Sequence, residues 1–385
     1  MNHNPWTITN GKYLSEGRWV SDSLTFYDGT VSTQTSAAPL NYNAEGLYLL
    51  PGIVDLHGDA FERNISPRPG VFFDVETALL ETDKQLLANG ITTAYLAMTI
   101  SWEPGLRSLD RAIELVNALQ KLNSRLITDM RFQLRWEITA LESADQVKKW
   151  LEMTPKPMLA FNDHFTNLLQ SERQMAKLSQ YASRAGLTED EYLQQLDTVT
   201  NRSDEIAAAV QEMADTAIAN QVVCLSHDEP SADVRRNHRE LGITVCEFPL
   251  TTETAKEART ANEPIILGAP NVVRGGSHVG AVDASTAIKD GLCDVLTTDY
   301  FYATPLKAVC KLAENNPGQL VEFWKLISSN AAKAAGLSDR GSLSPGQRAD
   351  ALAISFENGT ASIEAVFIKG QPHFISEPSR IQTLD

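Results

Sequence analysis

Eight short apolar runs, separated by segments of helical periodicity, limit what this 385-residue chain can fold into more than any other feature. They are Ile53–Leu56, Thr93–Thr99, Phe132–Ile138, Met158–Phe161, Val222–Ser226, Thr244–Phe248, Ile265–Gly268 and Val295–Thr298. A strand that is apolar on both faces has to be covered on both faces. Strands that alternate with helices are joined by crossovers and therefore run parallel. The intervening segments Val75–Asn89, Leu109–Leu122 and Ser203–Asn220 read as helices; the last carries Ala, Val, Ile and Met at core spacing, with Asn220 as its stop. Eight such units predict an α/β protein built on a (β/α)8 TIM-type barrel, with its working residues at the C-terminal ends of the strands. An open doubly wound sheet is the competing architecture, but the chain has no glycine-rich phosphate loop to support it.

The two ends of the chain read differently. TITNGKYL, LTFYDGTVS and GLYLL are short extended runs with hairpin signals at Asn10-Gly11 and Asp28-Gly29, and ADALAISF and ASIEAVFIKG repeat the style near the C-terminus. A small β-sandwich-like domain assembled from residues 1–52 and 343–385 is expected, with the barrel spanning 53–342. Residues 166–200 are polar and rich in Gln, Glu, Ser and Leu. They predict a helical insertion after the fourth strand, serving as a lid, an oligomer contact or a solvated hairpin.

A formal net charge of −16 argues against broad contact with nucleic acid or an anionic membrane. A small anionic substrate remains compatible, because a metal ion and a few arginines reverse the field locally. No apolar run reaches the length of a membrane span, and MNHNPWTITN lacks the basic and apolar regions of a signal peptide. The four cysteines show no C-x-x-C spacing, which predicts a reduced, cytoplasmic protein.

The strand ends carry the chemistry. The first delivers His57 and Asp59, two apart and so on one side of an extended backbone, with Gly58 allowing close approach between them. The third carries Glu137, the fourth Asp163 and His164, the fifth His227 and Asp228, and the eighth Asp299; the seventh leads to His278. Four of the seven histidines lie at these ends, and His3, His238 and His373 are expected on the surface. Imidazole and carboxylate ligands suit zinc, manganese or iron. Three histidines and three carboxylates suffice for two divalent ions, with Glu137 as a buried bridge; a pair with Arg135 is the plain alternative for that residue.

PGIVDLH, a late strand ending in aspartate, and NAAKAAGLSDRGSLSPGQRADALAI resemble the amidohydrolase superfamily. LPGIVDLHGD, SPRPGV, the Trp136-Glu137-Ile138 strand end, SHDE, CEFPLTTETAKEAR, GAPNVVRGGSH and TTDYF resemble its phosphonate-utilisation branch over nearly the whole chain. The resemblance implies that His57, Asp59, Glu137, His164, His227 and Asp299 hold the metals. It also implies a homodimer, and a diphosphatase that cleaves a ribose 1-phosphonate 5-triphosphate to the 5-phosphate and pyrophosphate. Asp299 is then the general base, with Glu137 beside it in the catalytic set. Arg63, Arg68, Arg274 and His278 are the expected phosphate-binding groups. Two departures from the branch are Gly58, in place of threonine, and Ala60-Phe61-Glu62-Arg63, in place of Asn-Leu-Asp-Lys. They keep open hydrolysis of a cyclic amide, an N-acyl group or an amino-heterocycle. A non-catalytic metal-binding protein is the reading of another class.

Overall fold

A computed structural model describes residues 4–15, 17–32, 40–68, 70–165, 168, 175–276, 282–314, 317–357 and 360–383. All eight apolar runs are strands: β1 (Ile53–Gly58), β2 (Ile91–Ile100), β3 (Asp129–Glu137), β4 (Met158–Asn162), β5 (Val223–His227), β6 (Val245–Glu247), β7 (Ile265–Gly268) and β8 (Val295–Thr297). Each pairs in parallel with the next. β3 starts three residues before its apolar run, because its ladder with β2 extends from Asp129↔Thr93 to Trp136↔Ile100. Charged Asp129 and Arg131 conceal that start in the sequence.

The sheet closes on itself at a seam between β1 and β8. At the upper end the Asp299 N–H donates to the His57 carbonyl and the Asp59 N–H to the Asp299 carbonyl, both at 2.9 Å. Buried Asp55 on β1 accepts from the Thr298 N–H (2.9 Å) and the Thr298 hydroxyl (2.6 Å). At the lower end the chain Leu326–Ile327 is wedged into the gap, accepting from the N–H groups of Leu296 and Val54. The Trp324 indole reaches Pro51 O from the same segment. The barrel is filled by Val54, Leu56, Tyr95, Met158, Leu225 and Val245 with their neighbours, and the alanines of the helix Ser329–Ala334 cap it below.

Strands from both ends of the chain build two further sheets. In one, Ala351–Glu357 pairs with Tyr48–Pro51; in the other, Ile381–Thr383 pairs with Leu40–Asn43. Between them Trp6, Phe26 and Tyr42 meet Phe367 edge to face. The segment after the fourth strand forms the helices Leu178–Ala185 and Glu189–Thr200. Their apolar faces are docked and their outer faces are exposed: buried Glu103 accepts from Tyr192 Oη (2.8 Å) and Arg184 Nη2 (2.6 Å), beside Trp102, Phe165 and Leu196.

The lower end of β3 is tied to the returning chain by ions. Asp129 holds Arg131 at 3.0 Å, Arg340 at 2.5 Å and Arg348 at 3.1 Å. Burial opposes its charge, but Arg131, Arg340 and Arg348 outweigh it and keep the carboxyl well below the usual carboxylate range. A depressed folded-state pKa contributes stability that is complete above pH ~4 and is lost only as pH falls through the folded value. Asp129→Asn is therefore expected to destabilise the fold by roughly 3 kcal/mol at neutral pH, since it strands buried guanidiniums. In urea unfolding the difference from wild type should persist at pH 5 and shrink towards pH 2.

Candidate metal centre

The upper strand ends are held in a strained backbone. Asp228, Phe248 and Asp299 follow β5, β6 and β8 with φ of 57°, 52° and 53°, a region that side-chain-bearing residues rarely occupy. Each donates its N–H to the neighbouring strand: Asp228 to Glu247 O, Phe248 to Ile266 O, and Asp299 to His57 O. Strain of about 1–3 kcal/mol per residue persists only where the surroundings over-determine it, and here it aims two carboxylates into the barrel mouth. Gly58 is required by close approach. A Cβ there would lie 2.7 Å from both Asp55 Oδ2 and Thr298 Oγ1, inside the seam clasp.

Two carboxylates orient the histidines from behind. Glu247 Oε2 lies 2.8 Å from His227 Nδ1 and 3.1 Å from His57 Nδ1, and Gln133 Nε2 donates to its other oxygen at 2.7 Å. Glu137 receives His164 Nδ1 and the His164 N–H. His164 Nε2 and His227 Nε2 both face Asp228 Oδ2, at 3.4 and 3.7 Å. Carboxylates behind imidazoles in this manner fix tautomer and ring angle at metal sites. Three donor groups result, each with ligand atoms within 4.8 Å of one another: His57, Asp59 and Asp299; beside them His164, His227 and Asp228; and behind them His57 and His227 with Glu247, whose carboxylate already faces both rings and accepts from Gln133. Three N/O donors per group fit a divalent cation, and His57, Asp59, Asp299, His227 and Asp228 line a cavity of about 250 Å³. The buried Arg135 guanidinium also enters this space, with Nη2 2.9 Å from His227 Nε2.

The electrostatics follow from crowding. Burial and the adjacent Asp59 carboxylate push Asp299 up to about 7. Burial and then Arg135 hold His227 down to about 4, so its ring is neutral. Burial also disfavours the charged form of His164, but Glu137 and Asp228 overcome it and raise the ring to about 9. His57 is raised likewise, Glu247 outweighing burial.

The model of the amidohydrolase family matches residues 48–372. This chain belongs to the amidohydrolase family. Over 383 residues the amidohydrolase is 30% identical to the alpha-D-ribose 1-methylphosphonate 5-triphosphate diphosphatase of Escherichia coli (strain K12), covering 95% of this chain and all of that protein. Among solved structures, a triazine hydrolase variant superposes with a TM-score of 0.66 at 12% identity, over 97% of this chain and 95% of its own. A zinc-bound adenosine deaminase from Xanthomonas campestris does so with a TM-score of 0.61 at 11% identity, over 96% and 93%. At such identities these two share the fold. The family is one whose members typically bind divalent metals, in keeping with the donor sets above.

Of the residues singled out by sequence, His57, Asp59 and Asp299 come together, and His164 and His227 converge with Asp228. Glu137 faces His164, receiving its Nδ1 and its backbone N–H, and lies in none of these donor groups. Its plain alternative, a pair with Arg135, is not formed either. Arg274 lines the cavity and donates to Tyr300 Oη at 3.3 Å. Arg63 donates to the Tyr300 carbonyl at the rim. Arg68 lines a separate groove with Ser183 and Arg184. His278 lies outside the described residues. His238, expected on the surface, is half-buried and bonded to Glu229 at 2.7 Å. Of the departures after Asp59, Ala60 and Phe61 are buried in the core, Glu62 forms a two-pronged pair with Arg107, and Arg63 is exposed at the rim.

Sequence reasoning missed Glu247, Gln133 and the position of Arg135. The signal was present. The strand-end test applies equally to the sixth strand, and Gln133, Arg135 and Glu137 share one face of β3 at a period of two.

Two measurements check this geometry. A group raised to about 7 holds its proton below that pH, and a cation must displace it; affinity for Zn²⁺ or Mn²⁺ is thus expected to fall as pH drops from 8 to 6. Calorimetry in buffers of different ionisation enthalpy should show proton release. Gly58→Ala is expected to cost about 2 kcal/mol in urea unfolding and to reduce bound metal, since the added Cβ forces the Asp55–Thr298 clasp apart.

Proposed function

We propose that this amidohydrolase cleaves the phosphoric anhydride of a ribose 5-triphosphate that carries a phosphonate at C1, yielding the 5-phosphate and pyrophosphate. The observation that carries the proposal is the two-sided cavity. Its floor holds His57, Asp59 and Asp299, and its wall presents Lys177 and Arg274, cations placed to receive phosphate oxygens. The full-length likeness to a diphosphatase supports the same reading.

A divalent cation held at the floor supplies Lewis acidity and lowers the pKa of a water. The chain does the rest. Asp299, held in the left-handed region by its bonds to β1, accepts the proton of the attacking water. The water oxygen bonds to the α-phosphorus and the bond to the bridging oxygen breaks. The proton passes from Asp299 to solvent or to the departing pyrophosphate, whose charge Arg274 and Lys177 offset. Tyr300 holds Arg274 at its hydroxyl and Arg63 at its carbonyl, so one residue links both rim arginines. The helix beginning at Leu178 delivers Lys177 from the insertion, giving that insertion a part in binding.

Pyrophosphate release from ribose 5-triphosphates tests the activity. Asp299→Asn is expected to lower kcat by about 10²-fold or more, the usual worth of a positioned general base. Arg274→Ala is expected to raise KM about tenfold or more with a smaller change in kcat, and to relieve inhibition by pyrophosphate. Full activity of Asp299→Asn would remove the general base, and turnover of neutral amides without inhibition by pyrophosphate would overturn the substrate.

A further inference from the structure

The interior of the barrel mouth holds a charge that the ligand chemistry does not call for. Arg135 on β3 is buried and carries a guanidinium group into this space. Buried arginines normally form two-pronged pairs with carboxylates, as Arg107 does with Glu62 nearby. Arg135 does not. Its nearest carboxylate is Asp59 Oδ2 at 3.9 Å, too far for a hydrogen bond. Among the described residues its one hydrogen-bond contact is His227 Nε2 at 2.9 Å. Its Nε is buried with no hydrogen-bond partner among the described residues.

That contact bears on metal binding. With Nδ1 of His227 directed at Glu247, the Nε2 lone pair is the ring's remaining acceptor. A metal would need the same lone pair, and it cannot serve a guanidinium and a cation together. The donor set of His164, His227 and Asp228 is thereby reduced to two free members. The set of His57, Asp59 and Asp299 stays whole, because Arg135 approaches Asp59 without bonding to it. The acidic mouth, with Asp59, Asp228 and Asp299 converging, attracts positive charge at two adjacent places. One of them already contains a covalently attached cation.

We propose that Arg135 is a resident cation standing in for a second metal ion, so that the centre loads one divalent ion per chain, at His57, Asp59 and Asp299. The proposal rests on the metal reading of the site and not on the identity of the substrate. Arg135 also lines the cavity, so the cationic group at the second place is a hydrogen-bond donor and not a Lewis acid.

The test is a metal count that involves no turnover. Wild type, Arg135→Met and Arg135→Lys are saturated with Zn²⁺ or Mn²⁺ at pH 8, freed of excess by gel filtration, and analysed by elemental mass spectrometry. One ion per chain is expected in wild type, two in Arg135→Met, and one in Arg135→Lys, which keeps the charge. Circular dichroism and melting temperature establish that each variant is folded. Two ions in wild type overturn the proposal whatever the variants do, as does a folded Arg135→Met that still binds one. No ion in wild type would sink the metal reading and this inference together. Failure to release pyrophosphate would sink the proposed substrate and leave the count unaffected.

Discussion

The clasp between the first and last barrel strands is the interaction on which the site depends. Asp55 grips Thr298 through its backbone N–H and its hydroxyl, and the next residue exchanges backbone bonds with His57 and Asp59. One contact therefore closes the barrel and brings a carboxylate from residue 299 against a histidine and a carboxylate from residues 57 and 59. Closure removes the two sheet edges that would otherwise be open to foreign strands. It also places the ligands where fifteen or more helices and strands of intervening chain give them no local reason to be. Gly58 belongs to this clasp by necessity, since any Cβ would displace one of its oxygens.

Around the rest of the mouth the same device recurs with variations. Residues just past β5, β6 and β8 adopt the left-handed conformation and hand their N–H groups to the neighbouring strand. Strain at these three tips is tolerated because the ladders beneath are apolar, buried and continuous. Behind the tips, Glu247 and Glu137 hold the imidazole Nδ1 atoms, so that the other ring nitrogens of His164 and His227 look inwards. The result is a crowded set of acidic groups whose mutual repulsion Arg107 and Arg135 relieve, beside donor groups that could hold a divalent ion. Membership of the amidohydrolase family fits that arrangement.

The inserted helices dock through a buried carboxylate, Glu103, and so hold Lys177 at the cavity without contributing to the barrel. Asp129 on β3 is tied to Arg340 and Arg348, on the chain that leads into the strand Ala351–Glu357 of a terminal sheet. Among the described residues no helix is long and apolar enough to cross a membrane.

The sequence alone determined the eight strands, their parallel order and the presence of ligand-type residues at their ends, because apolar runs, helical periodicity and strand polarity are local properties. It singled out His57, Asp59, His227 and Asp299, which line the mouth of the barrel, since a charge that ends an apolar run is conspicuous. What only the tertiary structure decided is which of these groups touch. Glu137 looked like a bridge because it is buried, yet burial is equally consistent with holding His164 from behind. Arg135 looked like a partner for Glu137, two residues away on the same strand face, but its side chain crosses the barrel to His227 on β5. Glu247 drew no notice in a three-residue strand and proved to orient two histidines. Contacts across a closed barrel join strands far apart in the chain, and no spacing along one strand encodes them.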